Sequence, residues 1–308
     1  MTSCGTTPWN RRLWPALLVL LSCWGVAGWW SVFFASAPAW SRAIPFPVAA
    51  LAAVVWWIGF ARGRSRGRRL CMAVLCAAAI GGWSLDMGGA RRIGTLKLET
   101  LRLCQWTLGS DTPAAELLPL LERELPHIVI LNRPANPRGA HRIVARTLRL
   151  HHFVADRGIV LLSRFPGRIV ASPSLPTLKA LCVHIDTPWG PLEVLAVDAP
   201  EQAATQADIL ALREWMRERT PGVPLLVAGG LGRNRTDAAL DPLRDDLRPA
   251  YEVAGYGWPY SWPARLPLFS HDHVWVSETI TVERTAFRYS AHAPHLRQFV
   301  MFTLPTAP

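Results

Sequence analysis

Acid is almost missing from the first third of this 308-residue chain. Of its 22 Asp and Glu, only Asp86 lies before residue 95. Of its 33 Lys and Arg, 10 lie there and 23 lie beyond. The formal charge of +11 thus divides into +9 for residues 1–94 and +2 for residues 95–308. A strong positive field over the larger part is excluded, and nucleic acid is not expected as a partner. Cysteine is scarce too, at 6 residues, which excludes a disulfide-dense scaffold. There is no internal repeat and no low-complexity tract. With 50% apolar and 18% charged residues, a disordered or collagen-like chain is also excluded.

The first third has uninterrupted apolar sequence instead. Residues 13–36 and 44–61 carry no charge, and about 70–87 forms a shorter, marginal third stretch. About 20 apolar residues at helical rise cross the hydrocarbon of a bilayer, because the backbone there must satisfy its own hydrogen bonds. Residues 1–94 therefore read as a membrane module of three transmembrane helices. Nine of the 15 Trp lie before residue 95, and Trp29, Trp30, Trp40, Trp56 and Trp57 fall near span ends. Ala35-Ser36-Ala37 resembles a signal-peptide cleavage site, but the first run exceeds an ordinary signal core and two more runs follow. The loop RGRSRGRR at 62–69 holds five Arg against Arg42 alone in the loop before it. Positive loops stay cytoplasmic, so residues 95–308 are expected outside. The bilayer is then the first expected partner.

Beyond residue 95 the pattern alternates between strands and helices. LKLETLRLCQW at 96–106 has period two and reads as a strand. Thr112 and Pro113 open a helical AAELLPLLEREL. HIVILN (127–132), GIVLLS (158–163) and VPLLVAG (223–229) read as short buried strands. LKALCVHID and PLEVLAVDA flank a TPWG turn at 187–190, a hairpin signal. Helices are expected over 138–150 and 201–219, and from Thr236; HVWVS (273–277) and RQFVMFTL (297–304) alternate as strands. The sum is a mixed α/β domain whose helices cover packed sheets. Cys104 and Cys182 lie inside strand-like runs as small hydrophobes, and sequence leaves their pairing open.

The order of these segments resembles the endonuclease/exonuclease/phosphatase superfamily, of DNase I-like fold, from about Leu101 to Leu304. LRLCQWTLG sits at the family's strand ending in W-N, and PHIVILNRP at P-D-x-x-x-L-Q-E. RGIVLLSRFP follows G-x-x-x-L-S-R-x-P, and LEVLAVDAP sits at the strand ending in N-x-H. VPLLVAGGLGRN sits at P-x-x-x-x-G-D-F-N, HDHVWVS at I-D-H-x-x-x-S, and SAHAPHLRQFV at S-D-H-x-P. Three spans before such a domain resemble the family's membrane-bound bacterial branch. The resemblance implies a four-layer α/β sandwich, two packed mixed or antiparallel sheets flanked by helices, outside the bacterial cytoplasmic membrane.

The same motifs show what is missing. The family's magnesium-holding Asn and Glu are here Thr107 and Arg133. The Asp and Asn of G-D-F-N are Gly230 and Gly232, and the Asp of S-D-H is Ala291. Mg²⁺ needs hard oxygen ligands, and a cation at the Glu position repels it. The family would use Mg²⁺; here no metal ligand set and no cofactor are expected. What remains is Asp272 with His292, which the resemblance implies is a catalytic dyad; in this chain the pair reads either as catalytic or as vestigial. Arg133, Thr107 and Asp198 are candidate ligand-binding residues, although Asp198 also reads as a solvated loop residue. Two functions compete. One is a pseudoenzyme that binds a phosphate-bearing or protein ligand, with Arg133 standing for the lost metal's charge. The other is a divergent phosphoesterase acting on lipid-linked or other phosphate esters. His271 and His273, with His292 and His295, offer a zinc-like set, but His271 and His273 flank Asp272 on its strand and should point away from the site, which weakens a zinc reading. The aromatics of YGWPYSWP are expected to pack a loop rather than line a pocket.

Overall fold

The computed structural model describes residues 99–109, 112, 114–134, 140–155, 158–199, 203–219, 221–290 and 293–305. The three expected spans lie outside these residues. Among the described residues, no helix is long and apolar enough to cross a membrane. Residues 87–235 and 239–308 form one compact unit.

Each strand in this unit is built by alternation. In β1 (Leu101–Thr107), Leu101, Leu103, Gln105 and Thr107 share one face, and Cys104 and Trp106 the other; all are buried. A strand buried on both faces needs a layer on each side. One side of β1 meets a second sheet and the other meets helices α1 (Ala114–Glu124) and α2 (Ala140–Leu148).

The first sheet also contains β2 (Ile128–Asn132), β3 (His151–Ala155), β4 (Ile159–Ser163), β11 (Thr281–Arg288) and β12 (Arg297–Thr303), in the order β11-β12-β1-β2-β4-β3. The second holds β5 (Gly167–Ala171), β6 (Lys179–Thr187), β7 (Gly190–Asp198), β8 (Leu225–Gly230), β9 (Arg248–Pro249) and β10 (Asp272–Val276), in the order β5-β6-β7-β8-β10-β9. Both sheets are mixed: β1 runs parallel to β2, and β7 to β8, while the other pairings are antiparallel. Leu103, Ile130, Leu161, Val183, Val194, Leu226 and Val274 pack between the sheets. On the outer face of the second sheet, Cys182, Leu195, Val227 and Trp275 pack against Ile209, Leu212 and Met216 of α3 (Gln206–Glu218) and Leu243 of α4 (Asp241–Arg244). A short helix, α5 (Ala250–Ala254), adds Ala250 and Ala254 to the inter-sheet core. The result is helix, sheet, sheet, helix: an α/β sandwich with two mixed sheets.

The TPWG turn joins β6 to β7 with Thr187 opposite Gly190, as its residues require. The helix expected from Thr236 is shorter: a 3₁₀ turn over Ala238–Leu240 and then α4. Pro242 explains the restart, since a proline lacks the N–H that would continue a helix and is tolerated at its beginning. Cys104 and Cys182 are free and buried, one in each sheet, with burial pushing both thiols up to about 12.

Candidate active site

The inward stripe of several strands changes character at one rim. β1 runs Leu101, Leu103, Gln105, Thr107; β2 runs Ile128, Ile130, Asn132; β7 runs Leu192, Val194, Ala196, Asp198. β8 ends Leu226, Ala228, Gly230, and antiparallel β10 starts with Asp272 before Val274 and Val276. Apolar positions hold the sheets together, and the last position of each stripe is polar or glycine. Asp272 pairs in register with Gly230, and Asp198 also pairs with Gly230. These residues converge because the parallel pairs end, and β10 begins, at the same rim.

Gly230 is the centre of the cluster. A Cβ added there would lie 3.2 Å from Thr107 Oγ1, 3.4 Å from Asp198 Oδ1 and 3.7 Å from Asp272 Oδ1. Asp272 is 1% exposed and fully engaged. Its Oδ1 accepts from the Thr107 hydroxyl at 2.5 Å and from Gln105 Nε2 at 3.2 Å. Its Oδ2 meets His295 Nδ1 at 2.7 Å. Burial would raise the Asp272 pKa, but the charge and hydrogen bond of His295, with the hydroxyls of Ser261 and Thr107, outweigh it and hold the carboxyl well below the usual range. Ser261 also accepts from the His271 and Asp272 backbone N–H groups, at 3.1 and 3.2 Å.

The second carboxylate departs from expectation. Asp198 is no solvated loop residue: it ends β7 and is 1% exposed. Arg133 Nε donates to both its oxygens, at 3.0 and 3.1 Å, and Arg133 Nη2 donates to the Ala199 carbonyl. Burial outweighs this ion pair, so the Asp198 carboxyl sits above its ordinary range, helped by the charge of Asp272. Arg133 takes a left-handed backbone, φ 56°, just past the end of β2. That turn swings its side chain across to β7 rather than along its own strand. Its Nη1 makes no hydrogen bond among the described residues.

Arg133, Thr107, Asp198 and Asp272 are therefore brought together, as the motif positions imply. His292 lies outside the described residues. The imidazole beside Asp272 is that of His295, which sequence reading placed only in a possible zinc set. Its backbone is fixed by Trp106 Nε1 donating to the His295 carbonyl at 3.1 Å.

The flanking histidines split. His273 points away, its Nε2 bonded to the Arg233 carbonyl at 2.7 Å. His271 does not: its ring stacks on Trp262 at 5.1 Å and lies 6.3 Å from His295. Burial holds its pKa down at about 4. Trp258 donates to the Pro267 carbonyl and Tyr260 is buried, so YGWPYSWP packs its own loop, with Trp262 reaching the site.

A magnesium ion does not fit this donor set. Mg²⁺ takes carboxylate oxygens that are free to coordinate. Here both oxygens of Asp198 are held by a guanidinium, and both of Asp272 by Thr107, Gln105 and His295. Among the described residues, no group of three or more His, Cys, Asp and Glu side chains is placed to hold a metal.

No family profile and no curated protein sequence matches the chain. Solved structures do. An endonuclease/exonuclease/phosphatase from Bacteroides vulgatus aligns at TM-score 0.56 and 13% identity over 67% of this chain and 99% of its own. A mannosyl-6-phosphatase from Bacteroides thetaiotaomicron aligns at TM-score 0.54 and 13% identity over 66% of this chain and 100% of its own. The human Nocturnin catalytic domain, solved with bound sulfate, aligns at 0.53 and 15% over 68% and 96%. The fold of the described unit is the DNase I-like fold of endonuclease/exonuclease/phosphatase proteins.

Proposed function

We propose that this fold is displayed outside the bacterial cytoplasmic membrane by the spans of residues 1–94, and that its site binds an anionic group without magnesium-dependent hydrolysis. The carrying observation is the Arg133–Asp198 pair. A guanidinium, itself cationic, stands at the position where the motif resemblance implies a metal-holding carboxylate, and it is paired with Asp198. The arginine side chain remains 34% exposed. Its Nη1 is available to a phosphate, carboxylate or sulfate oxygen, with the directional donors that suit such groups. The solved relatives named for phosphatase activity or for bound sulfate support an oxyanion as the ligand class.

A second reading rests on the 2.7 Å contact of Asp272 with His295. A carboxylate on Nδ1 leaves Nε2 as the basic nitrogen, the arrangement of a general base. His295 would take a proton from an attacking water, Arg133 would stabilise the phosphoryl oxygens, and the leaving alcohol would recover the proton.

Phosphodiester, sugar-phosphate and lipid-pyrophosphate hydrolysis by the detergent-solubilised full chain decides between them. The binding reading expects no turnover with Mg²⁺ or with EDTA. The second expects turnover that persists in EDTA and vanishes in Arg133→Ala. Hydrolysis that requires Mg²⁺ contradicts both. A reporter fused after Pro308 tests the outside display, and activity confined to the cytoplasm would defeat it.

A further inference from the structure

One layer below Asp272, the core between the sheets is still polar. Gln105 and Gln298 lie directly opposite each other on antiparallel β1 and β12. Gln105 shares the inward face of β1 with Leu101 and Leu103, and Gln298 that of β12 with Val300 and Phe302. Both amides are fully buried. A buried amide must place a two-donor nitrogen and an acceptor oxygen. The nitrogens are placed. Gln105 Nε2 donates to Asp272 Oδ1 at 3.2 Å and to Thr107 Oγ1 at 3.3 Å, and Gln298 Nε2 donates to Thr285 Oγ1 at 3.3 Å. Turning the Gln105 amide over would set its oxygen against the carboxylate, so its orientation is fixed. The two Oε1 atoms are buried and receive no hydrogen bond from the protein. Buried acceptors of this kind call for a donor.

A cavity of about 10 Å³ opens beside them, between β10, β11, β12 and α5. Gln298, Asp272 and Ser270 line it, with Val274, Phe287 and Tyr251 as its largely apolar wall. That size admits about one water, and an internal water needs about two to four polar partners. Ser270 Oγ accepts from the Arg235 N–H at 2.9 Å, which leaves its own O–H to donate. Directly opposite residues hold their Cβ atoms about 5 Å apart, and one water bridges two oxygens at about that separation.

We propose that this cavity holds one water, which accepts from the Ser270 hydroxyl and donates to Gln298 Oε1 and Gln105 Oε1, and that Gln298 is thereby a positioning residue for the Asp272–His295 pair. The chain of contacts runs Gln298, water, Gln105, Asp272, His295. With its oxygen held, the Gln105 amide keeps its nitrogen on Asp272 Oδ1. With the oxygen bare, the amide turns toward other donors, and Asp272 loses one of the two side chains that fix that oxygen. His295 is held by the other oxygen of the same carboxylate, so its ring loosens with it. The inference concerns the geometry of the site and stands whether the site binds an oxyanion or turns one over.

NMR of the detergent-solubilised full chain, labelled with nitrogen-15 at histidine and glutamine, tests this. His295→Gln assigns the Nδ1 proton donated to Asp272. The unaltered chain is expected to show a cross-peak between a long-lived water and the Gln105 side-chain amide. Gln298→Met keeps the volume and removes the acceptor. It should lose that cross-peak and speed exchange of the His295 Nδ1 proton about tenfold. Phe302→Leu loosens the same face of β12 further from the rim and should leave both signals unchanged. Gln298→Asn keeps an acceptor and should retain both. Absence of a long-lived water in the unaltered chain overturns the proposal without any variant. A cross-peak that persists in Gln298→Met gives the water other partners and also overturns it. So does a His295 signal that moves as far in Phe302→Leu, or in Gln298→Asn, as in Gln298→Met. Failure of the chain to bind phosphate would count against the oxyanion reading and leave these signals as they are.

Discussion

At the residue scale, the site is a pair of buried carboxylates, Asp198 paired with a guanidinium and Asp272 held by hydrogen bonds from inside the protein. Removing one partner of such a pair leaves a charge without compensation. Arg133→Ala should cost about 2 kcal/mol by urea unfolding, less than a fully buried pair would lose because the guanidinium is partly exposed. Adding Asp198→Asn should return part of that loss, and a double-mutant cycle reads the coupling. Costs that simply add would show that the pair is not a unit. Thr107→Val keeps the volume and removes a donor from Asp272, for an expected loss of about 1–2 kcal/mol. Motif positions made Thr107, Arg133 and Asp272 legible in the sequence. Asp198 was legible as a position but not as a buried group. Its burial depends on Arg133 crossing from the other sheet, and no local pattern encodes that.

At the scale of elements, two adjacent glycines at the end of β8 have opposite tolerances. Gly229 has φ +152°, and a Cβ there would meet the Val197 carbonyl oxygen at 1.7 Å. Gly229→Ala should therefore part β7 from β8 and cost about 3 kcal/mol or more. At Gly230 the nearest atom is the Thr107 hydroxyl at 3.2 Å, and Gly230→Ala should stay within about 1 kcal/mol. Thermal unfolding of the two variants checks the contrast; equal losses would contradict the packing described. The continuous apolar strands were readable because both faces are buried and the sequence says so. Three others gave no clear signal. β3 is short and rich in histidine. β5 is an exposed edge. In β11 a register shift between Val282 and Arg284 breaks the period-two pattern.

At the scale of the molecule, acid should unfold the domain early. His127 and His271 are held down at about 4, against an ordinary value near 6.5. Between those values the unfolded chain binds more protons than the folded one, so stability is complete above about pH 6.5 and falls as pH drops toward 4. Asp272, held below the carboxylate range, adds a further loss as pH falls beneath the ordinary carboxylate value. Asp198, raised by burial, works weakly in the opposite sense. Urea midpoints should fall steadily from pH 7 to pH 4, and His127→Gln should flatten the upper part of that slope. A midpoint independent of pH over this window would contradict the burial assigned to both imidazoles.

The proposal that the Arg133 guanidinium binds an oxyanion without a metal is open to direct measurement. The most direct measurement is calorimetric titration of the detergent-solubilised full chain with Mg²⁺, followed by titration with inorganic phosphate in EDTA. The account predicts no heat from Mg²⁺, and phosphate binding that needs no metal and is lost in Arg133→Ala. Stoichiometric Mg²⁺ binding that Asp272→Asn abolishes would contradict it.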